Sequence, residues 1–186
     1  MSRENPDLVR MPLRVRAESP RRMEERVCIR YPAAVALLVR GVMRLSPRSR
    51  LRQTLVRRSA QVFLEAYNRK DFDSAYSLYH PTSETILPHQ FTEMGFEPVA
   101  RGARAGVAVQ RRWHAEWGEF EIEPHEAIDL GDRVLLLGRI RGSGLSSGAG
   151  VESEWADLVT LAAGWIVREQ YFFDAGEALA AVGLKK

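Results

Sequence analysis

The sequence is poor in the features that mark secreted, membrane-spanning and nucleotide-binding proteins. It contains one cysteine, Cys28, which excludes an intramolecular disulfide and fits the reducing cytoplasm. The longest apolar run, Ala33 to Val39, is far shorter than the roughly 20 residues that span a bilayer. The first 22 residues lack the apolar segment of a secretory signal. The glycine-rich stretch from Gly142 to Gly150 is not followed by a helical pattern, so we interpret it as a hairpin loop.

Lysine is absent from the first 58 residues, which carry fifteen arginines and five acids, a net charge of +10. Residues 59–186 carry a net charge of −7. Such a split occurs in proteins that contact nucleic acid or a membrane surface, and also in proteins whose basic arm docks on their own acidic domain. We favour the docked arm and expect no nucleic-acid partner.

The pattern divides the chain into three parts. Residues 1–22 are polar, without periodicity, and predict a disordered basic tail. Residues 23–58 predict a helical, Arg-rich extension, and Met23 is an alternative natural start of the chain. Pro32 begins its apolar helix, Ala33 to Leu45, which we expect to dock on the domain; contact of this 33–45 helix with a membrane surface is the less favoured alternative.

Residues 59–184 predict one domain in which helices precede a sheet. Apolar residues recur at helical spacing up to Asn68, and again over Phe72 to Tyr79 and over Gly102 to Trp117. Ser83 to Leu87 is a short strand candidate. Four long strand patterns come later: Glu119 to Leu130, Arg133 to Arg141, and a hairpin from Val151 to Phe173 that turns at Ala162-Ala163-Gly164. These four are joined mainly by tight turns, which favours antiparallel pairing. Helices on one face of a curved sheet make an α+β fold.

Several segments carry a resemblance to a known family: Phe63 to Asp73 (FLEAYNRKDFD), Leu78-Tyr79, Pro81, Arg101-Gly102, Asp129 to Val134 (DLGDRV) and Gly164 to Arg168 (GWIVR). They resemble the nuclear transport factor 2-like (NTF2-like) superfamily in its SnoaL-like branch, which includes polyketide cyclases and ketosteroid isomerases. The extension from Met23 is similar to one in actinobacterial proteins of this kind. The resemblance covers roughly Gln61 to Leu184. It implies a cone, in which a curved antiparallel sheet wraps over three helices around an apolar cavity.

Asp157 is the candidate catalytic residue. Side chains alternate along a strand, so Trp155, Asp157 and Val159 share one face, and a carboxyl group in that row has a raised pKa if it is buried. Asp157 is therefore a general acid or base, a ligand contact, or a structural acid paired with Arg139 or Arg168. The resemblance places Asp157 at the second acid of ketosteroid isomerases. It places Phe63 where these enzymes have a tyrosine and Leu87 where they have a basic carboxylate, so their mechanism is not expected.

The sequence predicts a site for a small, largely apolar molecule, without a metal or cofactor. Its expected contacts are Phe63, Tyr67, Tyr79, Leu87, Val109, Trp113, Trp117, Arg139, Trp155, Val159 and Arg168. Three functions stay open: cofactor-independent proton transfer in an isomerase, cyclase or dehydratase; a non-catalytic carrier or sensor; and a dimerising interaction module. We expect a homodimer formed through the outer face of the sheet.

Overall fold

The computed structural model of the protein describes residues 8–16, 19–146 and 148–185. Within these residues the chain forms seven strands and seven helices, in the following order: β1 (Val9–Pro12), α1 (Met23–Arg30), α2 (Pro32–Met43), α3 (Arg50–Asn68), α4 (Phe72–Ala75), β2 (Tyr79–Ile86), α5 (His89–Glu93), β3 (Val99–Arg101), α6 (Ala103–Ala115), β4 (Trp117–Asp129), β5 (Arg133–Gly144), β6 (Gly150–Ala162), β7 (Trp165–Phe172) and α7 (Ala175–Ala181).

The strands form one curved, unclosed sheet in the order β1-β4-β5-β6-β7-β2-β3. This architecture confirms the predicted α+β fold. One pairing differs from the antiparallel expectation, because β2 runs parallel to β7. The chain between these two strands contains α5, α6 and three further long strands, which is ample for the long connection that parallel neighbours need.

The concave face of the sheet packs on α3, α4 and α6. Leu64 and Tyr67 from α3, Phe72 from α4 and Trp113 from α6 lie in one buried cluster with inward-facing strand residues such as Ile122. This cluster is the main hydrophobic core, and the candidate site lies within it.

The outer face of the sheet is partly covered by the chain's own C-terminal helix. Ala178 and Leu179 of α7 pack in a second buried cluster with outward-facing residues, among them Leu135, Leu137 and Phe172. This surface is therefore unavailable to a second subunit, and a homodimer through the remaining outer face stays a prediction.

The disorder predicted for residues 1–22 is wrong where the chain is described. Strand β1 pairs antiparallel with β4, Val9 opposite Asp129, and Met11 and Leu13 are buried. The alternation of Val9, Met11 and Leu13 is the period-two pattern of an edge strand. The two intervening residues, Arg10 and Pro12, conceal it in the sequence, although both are exposed. Residues 1–7 and 17–18 lie outside the described residues.

The arginine-rich arm docks on acids of its own domain, as the charge split favoured. Arg22 donates two hydrogen bonds to Glu65 of α3, at 2.6 and 2.7 Å, and Arg21 donates one to Asp71 at 2.9 Å. Burial opposes ionisation of Glu65, but the hydrogen bonds from Arg22 and Ser19 leave its pKa below the usual range. The predicted boundary at residue 58 falls inside α3, which is one continuous helix.

Helix α2 lies across the turn between β6 and β7. Ala163 and Gly164 both have positive φ, 52° and 87°, which the two-residue hairpin requires. A methyl group added to Gly164 would lie 1.8 Å from the carbonyl oxygen of Ala36, so only glycine permits this approach. No helix in the described part of the chain is long and apolar enough to cross a membrane.

Candidate functional site

Two carboxyl side chains lie side by side in the interior, on β6 and β7. Asp157 and Glu169 are both fully buried, with 0% of either residue exposed. Asp157 stands directly opposite Tyr171, and Glu169 lies two residues earlier on the same face of β7. Diagonal neighbours of this kind have Cα atoms about 7–8 Å apart, so each charge affects the other.

Glu169 is held by three hydroxyl donors, one from the residue that follows α4 and two from β2. Tyr76 donates to Oε2 at 2.8 Å, Thr85 of β2 donates to the same oxygen at 3.1 Å, and Tyr79 donates to Oε1. The parallel pairing of β2 and β7 positions Thr85, because it stands opposite Glu169 in the register. Three donors stabilise the ionised form of a carboxyl group.

Gln110 of α6 joins these hydroxyl groups into one network. Its amide nitrogen donates to Tyr76 at 3.1 Å and to Tyr171 at 3.2 Å, and its oxygen accepts from Tyr67. Burial raises the pKa of each of these tyrosines, and also that of Tyr79, well above the usual range. All four hydroxyl groups therefore keep their protons and remain donors.

Asp157 has no such support. Neither of its carboxyl oxygens hydrogen-bonds to any of the described residues. Burial, followed by the charge of Glu169, raises the pKa of Asp157 well above its usual range. Burial also raises the pKa of Glu169, but the hydroxyl donors act in the opposite direction. The pair titrates jointly, and the proton belongs on Asp157, because only Glu169 has donors for its negative charge.

A small cavity lies beside Tyr67, Gln110 and Tyr171 of this network, and neither carboxyl group is among its lining residues. Its volume is ≈ 10 Å³, about what one water molecule needs. Its lining is mostly aromatic, with one amide and one aliphatic side chain: Tyr67, Phe91, Gln110, Trp113, Phe120, Ile140, Trp155, Tyr171 and Phe173. The hollow expected from the sequence is thus nearly filled by side chains, and its lining includes three polar side chains of the network, Tyr67, Gln110 and Tyr171.

Helix α5 and the turn after it form one wall of the cavity. The ring of Phe91 lies 4.4 Å from that of Trp113 and 5.9 Å from that of Phe173. Arg112 of α6 fastens this segment: it donates to the carbonyl oxygens of Met94 and Gly95, each at 3.1 Å, and lies 4.0 Å from the ring of Phe96. The wall is a short helix held mainly by ring contacts and one arginine.

His114 lies at the back of the same core. It is 4% exposed, and its ring is 4.3 Å from Phe120, 4.9 Å from Phe72 and 5.1 Å from Tyr67. Neither ring nitrogen hydrogen-bonds to a described residue. Burial, together with the nearby charge of Lys70, lowers the pKa of His114 to about 4. The imidazole is therefore neutral above that pH.

Nine of the eleven predicted ligand contacts point inward. Three line the cavity: Tyr67, Trp113 and Trp155. The other six are buried or partly buried around it: Phe63, Tyr79, Leu87, Val109, Trp117 and Val159. Their role as contacts stays a prediction.

Arg139 and Arg168 lie on the outer face, contrary to prediction. The inward row of β5 includes Leu136, opposite Asp157, so the odd-numbered Arg139 faces solvent and pairs with Glu152 at 3.1 Å. On β7 the inward residues are odd-numbered, and Arg168 is exposed. Neither arginine pairs with Asp157 or reaches the cavity.

Sequence reasoning missed the second carboxylate and most of its partners: Glu169, Tyr76, Thr85, Gln110 and Tyr171. The segment VREQYFF contains charged residues and reads as a solvated strand, which concealed Glu169. The available signal was the alternation of Glu169, Tyr171 and Phe173. Counting from the hairpin turn would have placed Asp157 opposite Gln170 instead, because the register shifts between Thr160 and Leu161. Among the described residues, no group of three or more histidine, cysteine or acidic side chains is arranged to hold a metal ion.

Comparison with known proteins gives a consistent result. A family model of the SnoaL-like domain matches residues 60–169. An NTF2-like protein of unknown function from Burkholderia pseudomallei is similar in structure, with a TM-score of 0.58 and 20% identity over 68% of this chain and 95% of that one.

Two further solved structures are similar. An NTF2-like protein from Burkholderia thailandensis has a TM-score of 0.55 and 26% identity over 63% of this chain and 88% of that one. A protein with a ketosteroid isomerase-like fold from Catenulispora acidiphila has a TM-score of 0.53 and 14% identity over 68% and 92%. None of the curated proteins compared with the chain matches it.

Proposed function

The chain belongs to the SnoaL-like domain family, and from that premise we propose that it binds a small, largely apolar carbonyl compound and transfers a proton on it without a cofactor. The observation that carries the proposal is Asp157. Its carboxyl group is fully buried, has no donor among the described residues, and stands opposite Tyr171, which lines the cavity.

Asp157 is the acid in this reaction. A carboxyl group kept neutral by an apolar site donates a hydrogen bond to a carbonyl oxygen. That hydrogen bond acidifies the C–H bonds next to the carbonyl carbon, because it stabilises the enolate that forms when one of them loses a proton.

Glu169 is the proton acceptor. Tyr171 lines the cavity, its hydroxyl lies 3.2 Å from that of Tyr76, and Tyr76 in turn donates to Glu169 at 2.8 Å. A proton that leaves the ligand reaches Glu169 along these two hydroxyl groups, and return of a proton to a different carbon completes an isomerisation. The same step starts a cyclisation or a dehydration.

Ligand entry requires the wall formed by α5 to move. The cavity holds about one water molecule, whereas small-molecule sites commonly have volumes of about 300–1,000 Å³. Displacement of Phe91 and Phe96 opens the aromatic core from outside while leaving the carboxyl pair in place, because those two rings come from α5 and the turn after it.

The test has two parts. Mass spectrometry of small molecules that copurify with the full chain identifies a ligand. Deuterium incorporation next to the carbonyl group, in that ligand and in 2-tetralone as a bicyclic ketone probe, measures proton transfer. We expect the wild-type protein to accelerate exchange and Asp157→Asn to lose about 10²–10⁴-fold of that acceleration.

Asp132→Asn is the control, because Asp132 is an exposed aspartate in the turn between β4 and β5. Its exchange rate is expected to match that of the wild type. Absence of acceleration by the wild-type protein, or an Asp157→Asn variant as active as the wild type, contradicts the catalytic proposal.

A non-catalytic carrier is the second candidate. It is favoured by Phe63 and Leu87, which have no functional group where ketosteroid isomerases have a tyrosine and a carboxylate. A copurified molecule whose exchange the protein does not accelerate would assign this function instead.

A further inference from the structure

Helix α2 is apolar on both of its sides. One side packs on the domain, where Ala36 is 2% exposed above the hairpin turn. The opposite side carries Leu37 and Leu38, which are 66% and 70% exposed. A helix that is hydrophobic on all sides is normally buried on all sides. In this structure one side of α2 is exposed, although its sequence is typical of a buried helix.

The arm, residues 23–58, also contains α1 and the start of α3, and these helices expose apolar side chains as well. Of the large hydrophobic residues that are exposed among the described residues, most fall between positions 23 and 55: Met23, Val27, Ile29, Tyr31, Leu37, Leu38, Leu45, Leu51 and Leu55. The rest of the described surface contributes only Met94, Leu145 and Val151 to that set. A concentration of this kind marks an interaction surface.

Positive charge surrounds these apolar side chains. Residues 23–58 contain nine arginines and two acids, Glu24 and Glu25; Arg52 is buried against Asp129 and does not contribute to this surface. Both acids are already engaged, Glu24 with Arg58 at 2.5 Å and Glu25 with Arg69. Helix α2 contains no acid, and Arg40 lies within one turn of the exposed leucines.

We propose that this arm surface binds an anionic lipid surface, with Leu37 and Leu38 entering the interface and the arginines contacting lipid phosphates. Cationic side chains around an apolar helix face are the combination that favours an interfacial helix. Arginine suits this position, because its long aliphatic stem lies along apolar surface while the charge stays with the phosphates. Tyr31, 59% exposed just before α2, has the amphipathic ring of an interfacial anchor.

A second copy of the chain fits this surface less well. In a symmetric dimer through the arm, the same surface meets itself, and arginine faces arginine across the contact. An anionic lipid surface supplies the opposite charge and an apolar interior together.

The test is cosedimentation of the full chain with vesicles. Vesicles of phosphatidylcholine with about a third phosphatidylglycerol are compared with phosphatidylcholine alone, at low and at high salt. We expect binding to the anionic vesicles, and a fall in partitioning of at least about tenfold without the anionic lipid or at high salt.

Three variants locate the surface. Leu37→Ser/Leu38→Ser and Arg40→Gln/Arg44→Gln are each expected to lose at least about tenfold in partitioning. Leu145→Ser is the matched control, because Leu145 is 67% exposed and lies outside the arm, and it should bind as the wild type does. Thermal unfolding verifies that each variant is folded.

Three results overturn the proposal: no binding to anionic vesicles, equal binding to both vesicle types, or unchanged binding by both arm variants. Sedimentation velocity without lipid tests the alternative that a second copy of the chain binds this surface. A dimer that Leu37→Ser/Leu38→Ser abolishes would assign the surface to a second copy of the chain.

Discussion

Burial without a hydrogen-bond donor in the described part of the chain suits the carboxyl group of Asp157 to proton transfer, and it also lowers the free energy of unfolding at neutral pH. Its carboxyl group is buried without a donor among the described residues, so its pKa lies well above the usual range. In the unfolded chain the same group ionises near its ordinary pKa of about 3.9. Between these two pKa values the folded protein holds a proton that the unfolded chain releases, and the free energy of unfolding therefore falls as the pH rises.

Asp157→Asn should therefore raise the free energy of unfolding at pH 7, because the amide has similar shape and no ionisation to suppress. The gain should shrink toward zero near pH 4, where the aspartate of the unfolded chain is also protonated. Urea unfolding at a series of pH values measures it. A variant that is less stable than the wild type at pH 7, or a gain independent of pH, would contradict this account.

His114 has the opposite pH dependence. Burial holds its folded-state pKa at about 4, below the value of about 6.5 in an unfolded chain. Below pH 6.5 the unfolded chain binds a proton that the folded protein does not, so stability falls as the pH drops toward 4. A loss on the order of 2 kcal/mol is expected over this window.

Replacement of His114 by leucine should remove that part of the pH dependence between pH 6.5 and 4. His125→Gln is the control, because His125 is exposed on β4, and its unfolding curves should follow those of the wild type. Equal pH dependence in His114→Leu and the wild type would show that other groups cause the acid sensitivity.

The sequence predicted half of the carboxyl pair. Asp157 was found because its neighbours Trp155 and Val159 are apolar, so alternation places the acid inside. Glu169 was missed because Arg168 and Gln170 flank it, and a charged run indicates solvent until the register with β6 is known. Arg139 was wrongly expected to face inward, because a position on a strand does not by itself say which face of the sheet a residue occupies.

At the scale of elements, α5 determines access to the cavity. It has five residues, and the backbone hydrogen bonds around it come from its own turns, apart from the two that Arg112 adds. Long loops often form the walls or lids of binding sites, and residues 89–101 carry neither a helical nor a strand pattern in the sequence. The sequence did not indicate the helical turn or its fastening by Arg112, because both depend on the position of α6.

Arg112→Ala should increase local opening of this wall. The backbone amides of Met94, Gly95 and Phe96 should exchange with solvent about 5–30-fold faster, as expected for a loss of one to two kcal/mol. Hydrogen exchange measured by NMR resolves these amides. Arg111→Ala is the neighbouring control, since Arg111 pairs with exposed Asp73 and not with this wall among the described residues, and it should leave their exchange rates unchanged. Equal protection in both variants would show that ring packing alone holds the wall.

At the scale of the whole molecule, a buried ion pair joins the arm to the sheet. Arg52 of α3 makes two hydrogen bonds of 2.7 Å with Asp129 of β4. It also donates to the carbonyl oxygens of Met43 and Leu45, each at 2.7 Å, and to that of Gly131. All five of its N–H donors are used. The predicted extension and the predicted domain therefore share one core.

Arg52→Met should lower the free energy of unfolding by about 3–5 kcal/mol, because it leaves the carboxylate of Asp129 buried without its partner. Urea unfolding of the full chain measures the change. Arg50→Met, at an exposed position two residues earlier in α3, should cost little. The double variant Arg52→Met/Asp129→Leu should recover part of the loss, and a double variant less stable than Arg52→Met would contradict a cost that arises from the unpaired charge.

Strand β1 is synthesised long before the strand with which it pairs. Its partner strand ends at Asp129, which is synthesised 120 residues after Val9. At the usual translation rate of about 5–20 residues per second, roughly 6–24 s pass between their appearances. During that interval the first strand leaves the ribosome with its backbone unpaired, so this edge of the sheet cannot close before β4 has been made.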